Sequence, residues 1–172
     1  LPRNSKVILA TGHLKDSVEE FVGKKWYRKN IVLSQEEKKL GTGGALLKAS
    51  RLVETDNFIA INGDTIQELE IENFINNSGL LKRDVINIGC TTSDLNDSGK
   101  LLVGPKDFII SFSEKKLPHI KIKKGFKICT SLGMYRCKTE YFRSLPVEPK
   151  SLEDDILPFL VKNKSARASV FK

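Results

Sequence analysis

The stretch FIAINGDTI, Phe58 to Ile66, decides the fold. Phe58, Ile59, Ala60 and Ile61 form an apolar run of strand length. It breaks at Asn62-Gly63, and a single carboxylate, Asp64, follows at once. Asn-Gly is a strong hairpin signal. The same pattern also suits the carboxyl end of a strand in an open α/β sheet, where such sheets hold their ligands. Downstream of Asp64 a polar gap leads into the helix-like LEIENFI (Leu69 to Ile75), not into an alternating partner strand. Asp64 is therefore expected at the carboxyl end of a strand in a parallel sheet.

The segments before the stretch alternate. Lys6 to Thr11 (KVILAT) and Asn30 to Leu33 are apolar strand candidates. Between them Asp16 suits an N-cap, with Glu19 three residues on, and Val18, Phe21 and Val22 share one helical face closed by Gly23. GTGGALLKASRLV, Gly41 to Val53, is a glycine turn feeding a helix, with Ala45, Leu46, Ala49 and Leu52 expected inward. Val85 to Thr91 is a further strand. Strand and helix alternating at this spacing predict parallel α/β units, a Rossmann-like doubly wound, mostly parallel sheet.

The character changes after about Asp94. Lys100 to Val103, Phe108 to Phe112, Ile120 to Ile122 and Lys127 to Tyr135 are short strand candidates, which predict a small additional β region. Thr139 to Leu145 and Ser151 to Lys162 are helical in pattern. Ser151 can cap the second, and Pro158 should bend or split it.

Bulk properties exclude several classes. A chain of 172 residues is one domain by length and can bury a proper core. With 40% apolar and 29% charged residues it is not a disordered composition. No apolar run approaches a membrane span, and the first residues lack the pattern of a secretory leader, so none is expected. Cys90, Cys129 and Cys137 match no zinc or redox spacing, so reduced thiols and a cytoplasmic setting are expected. The net charge of +8 suits anionic small molecules or nucleic acid. The basic run KKLPHIKIKK (Lys115 to Lys124) has no aromatic interleaving on which bases could stack, so nucleic acid is not an expected partner. His13 and His119 stand singly and are taken as structural.

LGTGGA, Leu40 to Ala45, places three glycines and a threonine at a helix start. Glycines there allow unusual dihedrals and close approach to the backbone, and a helix N-terminus offers free N–H groups. A plain tight turn that starts a helix would need the same residues. No Gly-Lys-Ser/Thr follows, so this is not a P-loop, and the dinucleotide pattern is absent too.

Taken with FIAINGDT (Phe58 to Thr65), the segment LGTGGALLKA (Leu40 to Ala49) resembles the sugar-1-phosphate nucleotidyltransferases, and within them the heptose-1-phosphate and mannose-1-phosphate guanylyltransferase group. IISFSEK (Ile109 to Lys115), LGMY (Leu132 to Tyr135) and SLEDDILPFL (Ser151 to Leu160) follow in the family's order. The resemblance implies the nucleotide-diphospho-sugar transferase fold. It implies transfer of a nucleotidyl group from a nucleoside triphosphate, GTP favoured, to a sugar 1-phosphate, with release of pyrophosphate. Mg²⁺ is the implied cofactor, held by Asp64. Glu36, Leu40, Gly41, Thr42, Gly43, Gly44 and Gly63 are the implied nucleotide contacts. Gly99, Glu114, Ser131 and Glu153 would contact the sugar, and Lys115 would neutralise its phosphate. The alternative is an inactive relative that binds nucleotide or sugar phosphate and regulates a partner.

The sequence departs from the family at several points. Lys39 and Lys116 stand where Pro is usual, Ser98 where Tyr is common and Ser131 where Asn is usual. The family's Gly-x-Gly-Thr-Arg loop, which grips the triphosphate, has no counterpart, nor does a second metal-binding Asp after Ala168 to Lys172. Residues 1–172 are thus expected to be one nucleotidyltransferase-like domain, incomplete at both ends, with the loop encoded upstream of Leu1. Without its central first strand the sheet should present two halves with open edges. The expected partners are the two substrates, with no membrane and no nucleic acid, and a homo-oligomer left open.

Overall fold

The computed structural model describes residues 5–12, 15–25, 30–65, 71–93, 95, 98–114 and 122–171. Lys115, His13, His119 and the strand expected at Ile120 fall outside these residues wholly or in part.

Apolar, β-branched runs form the strands that the sequence predicts. β1 (Lys6–Thr11) and β2 (Asn30–Gln35) pair in parallel, from Lys6 opposite Asn30 to Thr11 opposite Gln35. They make a two-stranded sheet of their own. The helix α1 (Lys15–Lys25) joins them; it starts one residue before Asp16 and runs past Gly23. Phe21, expected inward, is exposed.

The larger sheet has six strands. β3 (Asn57–Ile61), β4 (Ile86–Thr91), β5 (Lys100–Val103), β6 (Ile109–Ser113), β7 (Lys127–Lys138) and β8 (Ala166–Phe171) assemble in the order β6-β5-β7-β4-β8, with β3 also on β7. β4 and β8 run parallel, whereas β7 is antiparallel to β3, β4 and β5. The sheet is therefore mixed rather than mostly parallel. The twelve-residue β7 inserts between strands that the α/β alternation would otherwise pair in parallel. Among the described residues, the ladders of β1 and β3 each have one strand partner, so the sheet is split in two between them.

β7 bends in its middle. Gly133 takes a left-handed φ of 64°, and the pairing with β4 shifts register between Gly89 and Cys90, which face Met134 and Ser131 respectively. Only glycine adopts that backbone at little cost. Such a bulge re-aims a strand: the first part of β7 pairs with β5 and the last part with β3.

The core gathers between the large sheet and the helices α2 (Gly41–Ser50), α4 (Thr139–Ser144) and α5 (Leu157–Lys162). Leu47, Ile86, Ile88, Phe142, Leu157 and Leu160 are among its fully buried members. In α2 the buried residues are Gly43, Gly44, Leu47 and Ser50; Leu52, expected inward, is exposed. The short α3 (Ile71–Asn77) buries Phe74. Ser151 caps the segment that leads into α5, accepting from Glu153 N and Asp154 N. Leu152–Ile156 forms a π-helical turn, and α5 starts with Pro158 in its first turn, so the expected split falls there.

Candidate functional site

Two features mark out a candidate site at the carboxyl ends of β1 and β2. Lys6, at the start of β1, donates to Leu52 O at 3.0 Å and pairs with Glu54, just before β3. β1 and β3 therefore start from one end of the molecule and finish at the other. There a cleft of about 640 Å³ opens beyond β1 and β2, lined by Gly12, Glu36, Glu37, Lys38, Lys39, Gly41, Thr42 and Ala45. A larger cavity of about 760 Å³ lies at the starting end, between Glu54–Asn57, Leu80–Lys82 and Lys138–Ser144; no residue named from the sequence lines it.

Glu36 closes one side of the cleft. Its Oε2 accepts from Leu40 N at 2.9 Å, and a Cβ on Gly12 would sit 3.3 Å from the same oxygen. One carboxylate oxygen is thus fixed by the protein, while among the described residues Oε1 has no hydrogen-bond partner. Lys38 and Lys39 bring positive charge to the rim. Gly12 and Lys38 were not singled out from the sequence. Gly12 carries a signal in hindsight, since it is the first residue beyond β1.

The glycines of LGTGGA serve a different neighbour from the one expected. The helix they open has no side-chain cap. Instead Gly43 N and Gly44 N donate to Lys150 O at 3.0 and 3.2 Å, and Lys150 N donates back to Leu40 O at 2.9 Å. A Cβ on Gly43 would lie 2.9 Å from Leu152 N, and one on Gly44 would lie 2.6 Å from Glu148 O. Gly41, at φ +71°, meets Lys150 O at 2.8 Å in the same way. The glycines let residues 148–152 lie directly on the start of α2. Gly41 and Thr42 also face the cleft, whereas Leu40, Gly43 and Gly44 do not line it.

That strap carries Glu153. Thr42 Oγ1 donates to Glu153 Oε2 at 2.6 Å and accepts from Leu152 N at 2.9 Å. The charge of Glu153 is felt at Glu114 and Tyr135. Burial, then the charges of Glu153 and Asp154, push the Glu114 carboxyl above its ordinary value. Burial and the Glu153 charge push the Tyr135 phenol up, against a hydrogen bond with Ser131 that lowers it. Gly99 belongs to the same group: Ser131 N donates to Gly99 O at 2.7 Å, and a Cβ on Gly99 would stand 3.3 Å from Glu114 Oε1. Gly99, Glu114 and Ser131, named from distant segments, therefore meet, and Glu153 lies near enough for its charge to be felt at Glu114. Tyr135 joins them; it had been part of a motif but not of the site.

Asn62, two residues before Asp64, is tied to this group through Gly133. Asn62 N donates to Gly133 O at 2.9 Å, and Gly133 N donates to Ser131 Oγ at 3.2 Å. Asp64 itself is exposed, two residues past Asn62, and accepts from Thr65 Oγ1 at 3.2 Å. The strand that ends at Ile61 pairs with β7, far along the chain, so Asn62-Gly63 is not a hairpin turn. Gly63 is exposed, and a Cβ there would meet nothing within 4 Å. No group of three or more metal-binding side chains exists among the described residues.

No protein-family model matches the chain. A D-glycero-α-D-manno-heptose 1-phosphate guanylyltransferase of Campylobacter jejuni is 25% identical over 169 residues, which is 96% of this chain and 70% of that protein. The solved HddC of Yersinia pseudotuberculosis superposes with a TM-score of 0.77 at 26% identity, over 96% of this chain and 69% of its own. The chain is a relative of the sugar-1-phosphate nucleotidyltransferases. An enzyme of the same name as the first, from Aneurinibacillus thermoaerophilus, is 41% identical over 61 residues, 36% of this chain and 26% of that one. HddC has also been solved with GMP-PN; this chain matches that structure with a TM-score of 0.73 at 27% identity, over 96% of this chain and 69% of its own. The inositol-1-phosphate CTP transferase of T. maritima shares the fold with a TM-score of 0.69 at 14% identity, over 96% of this chain and 66% of its own. The mixed sheet and its flanking helices have the nucleotide-diphospho-sugar transferase fold. No helix among the described residues is long and apolar enough to cross a membrane.

Proposed function

We propose that this chain carries out the nucleotidyl transfer of its relatives, moving GMP from GTP to a sugar 1-phosphate and releasing pyrophosphate. The observation that carries the proposal is the bond from Thr42 to Glu153. It ties the cleft at the start of α2 to Glu153, whose charge is felt at Glu114 and Tyr135, and so supports reading the two as a nucleotide shelf and a sugar pocket side by side.

In the reaction, a phosphate oxygen of the sugar 1-phosphate attacks the α-phosphorus of the triphosphate. The new O–P bond forms as the bond to the β-phosphate breaks, and pyrophosphate leaves with that electron pair. Little covalent chemistry falls to the protein, so its task is positioning and charge neutralisation. Glu36 meets the base through Oε1, accepting from N1–H and the exocyclic amine of guanine. Adenine would set a ring acceptor against the same carboxylate, a costly arrangement. Glu114 and Glu153 accept from sugar hydroxyls, and Ser131 and Gly99 shape the pocket between them. Lys115 is assigned to the sugar phosphate by its place next to Glu114.

A divalent cation fits the donor set at Asp64. Mg²⁺ usually takes one or two carboxylates and completes its shell with substrate phosphate and water. Asp64 is one exposed carboxylate at a strand end, held among the described residues by a single hydroxyl. When bound, Mg²⁺ would supply charge neutralisation on the phosphates. The buried, unbridged Cys90, Cys129 and Cys137 suit a reducing compartment, and we place the protein in the cytoplasm.

The test is competition binding of the intact protein with GTP, ATP, CTP and UTP, repeated on Glu36→Gln, followed by product analysis with GTP and a panel of sugar 1-phosphates. GTP is expected to bind best, the variant to lose that preference, and a GDP-sugar to form. Preference for ATP or a pyrimidine triphosphate, or an unchanged ranking in the variant, would refute the role given to Glu36.

A further inference from the structure

We infer that Thr42 is a positioning residue for the sugar phosphate rather than a contact of the base; this rests on the proposed sugar role of Glu153. A hydroxyl has one proton to donate. The proton of Thr42 goes to Glu153 Oε2 at 2.6 Å, and its oxygen accepts from Leu152 N at 2.9 Å. Its one donor and one of its two acceptor lone pairs thus face the strap, although Thr42 stands on the wall of the nucleotide cleft.

The bond decides where the carboxylate points. Ser151 Oγ also donates to Glu153 Oε2, at 3.3 Å, and accepts from Glu153 N at 3.2 Å. Oε2 is therefore fixed from two sides, which leaves Oε1 to take a sugar hydroxyl. A short, charge-assisted bond to a carboxylate is roughly twice as strong as a neutral one. Without the Thr42 hydroxyl the longer Ser151 contact alone would hold Glu153, which would then rotate among its rotamers and pay to be ordered when sugar binds.

The arrangement couples the two substrates. Gly43 and Gly44 of the same turn hold Lys150 O, three residues before Glu153. A nucleotide that orders the start of α2 also orders the strap and its carboxylate. By reciprocity, sugar phosphate then tightens nucleotide binding by the same factor.

The experiment uses the intact protein with GTP and the best sugar 1-phosphate, comparing Thr42→Val, Thr42→Ser, Glu153→Gln and the Thr42→Val/Glu153→Gln double variant. Thr42→Val is expected to raise the KM for sugar phosphate about tenfold, the size of one hydrogen bond to a charged group, and to leave GTP binding in the absence of sugar phosphate unchanged. Thr42→Ser keeps the hydroxyl and is expected to hold the wild-type sugar-phosphate KM. That variant stands as a test even if the valine protein is poorly folded. The double variant is expected to be no worse than Glu153→Gln alone. A rise in the GTP KM with the sugar-phosphate KM unmoved would return Thr42 to the base and overturn the inference, as would additive losses or a serine variant as impaired as the valine one. If Glu153→Gln leaves the sugar-phosphate KM unchanged while the wild type still makes nucleotide sugar, the inference falls and the proposed activity stands.

Discussion

The backbone amide of Asn62 donates to the carbonyl of Gly133 at 2.9 Å, and the Asn62 side chain reaches within 3.0 Å of the place where a Cβ of Gly133 would be. This contact pins the end of β3 to the bend of β7, two residues before Asp64. Strand end, bend and carboxylate therefore form one unit.

Gly133→Ala should disturb that unit. The left-handed φ of 64° costs a non-glycine residue about 1–2 kcal/mol, and the added methyl presses on Asn62. Urea unfolding should show a loss of about that size. Turnover should fall further than stability explains, because the Asp64 loop is displaced. A fully stable variant would show that the bend does not need glycine.

Gly44→Ala tests the strap. The new Cβ would lie 2.6 Å from Glu148 O and 2.8 Å from Leu40 Cβ, and the backbone carbonyl cannot swing away as a side chain can. Overpacking of this kind costs about 1–3 kcal/mol. Thermal unfolding should reveal it, and sugar-phosphate affinity should fall with it because Glu153 rides on the strap. Gly63→Ala is the control for glycine replacement as such: with open space around it, it should leave the melting temperature unchanged.

Much of this was legible in the sequence because it is local. The apolar runs gave β1 to β4 within a residue or two, and Ser151 caps as expected because its hydroxyl reaches amides two and three residues on. What depends on distant partners was not legible. The inner face of α2 was expected at Ala45, Leu46, Ala49 and Leu52; Leu46 does pack on the core, but the buried residues are Gly43, Gly44, Leu47 and Ser50, since residues 148–152 cross the glycines. The length of β7 was missed at Arg136 to Lys138, because its pairing with β3 draws those residues into the sheet. Tyr135 looked like one more strand residue; only the fold brings Glu114 and Glu153 to it.

The carboxylate pair gives a pH prediction. Glu114 holds its proton more tightly in the folded protein than in the unfolded chain, through burial first and then the charges of Glu153 and Asp154. Raising the pH through the ordinary carboxylate range therefore costs folded-state stability, since ionising Glu114 is harder there. Glu153→Gln removes one of the repelling charges. The Glu114 midpoint, followed by carbon-13 NMR of the side-chain carboxyl, should move down in the variant, and the loss of stability on going from acid to neutral pH should shrink. An unmoved midpoint would mean that the two carboxylates do not sense each other.

Asp64→Asn in the intact protein, assayed for pyrophosphate release from GTP, a sugar 1-phosphate and Mg²⁺, tests the central claim most directly. Asp64 is exposed and bonded only to Thr65 among the described residues, so the variant should fold and melt like the wild type. Loss of a carboxylate that anchors charge neutralisation on the phosphates should cost several kcal/mol of transition-state stabilisation, about a hundredfold or more in rate. The predicted result is sugar-phosphate-dependent pyrophosphate release by the wild type and its near-complete loss in the folded variant. Release at the wild-type rate by folded Asp64→Asn would contradict the assignment.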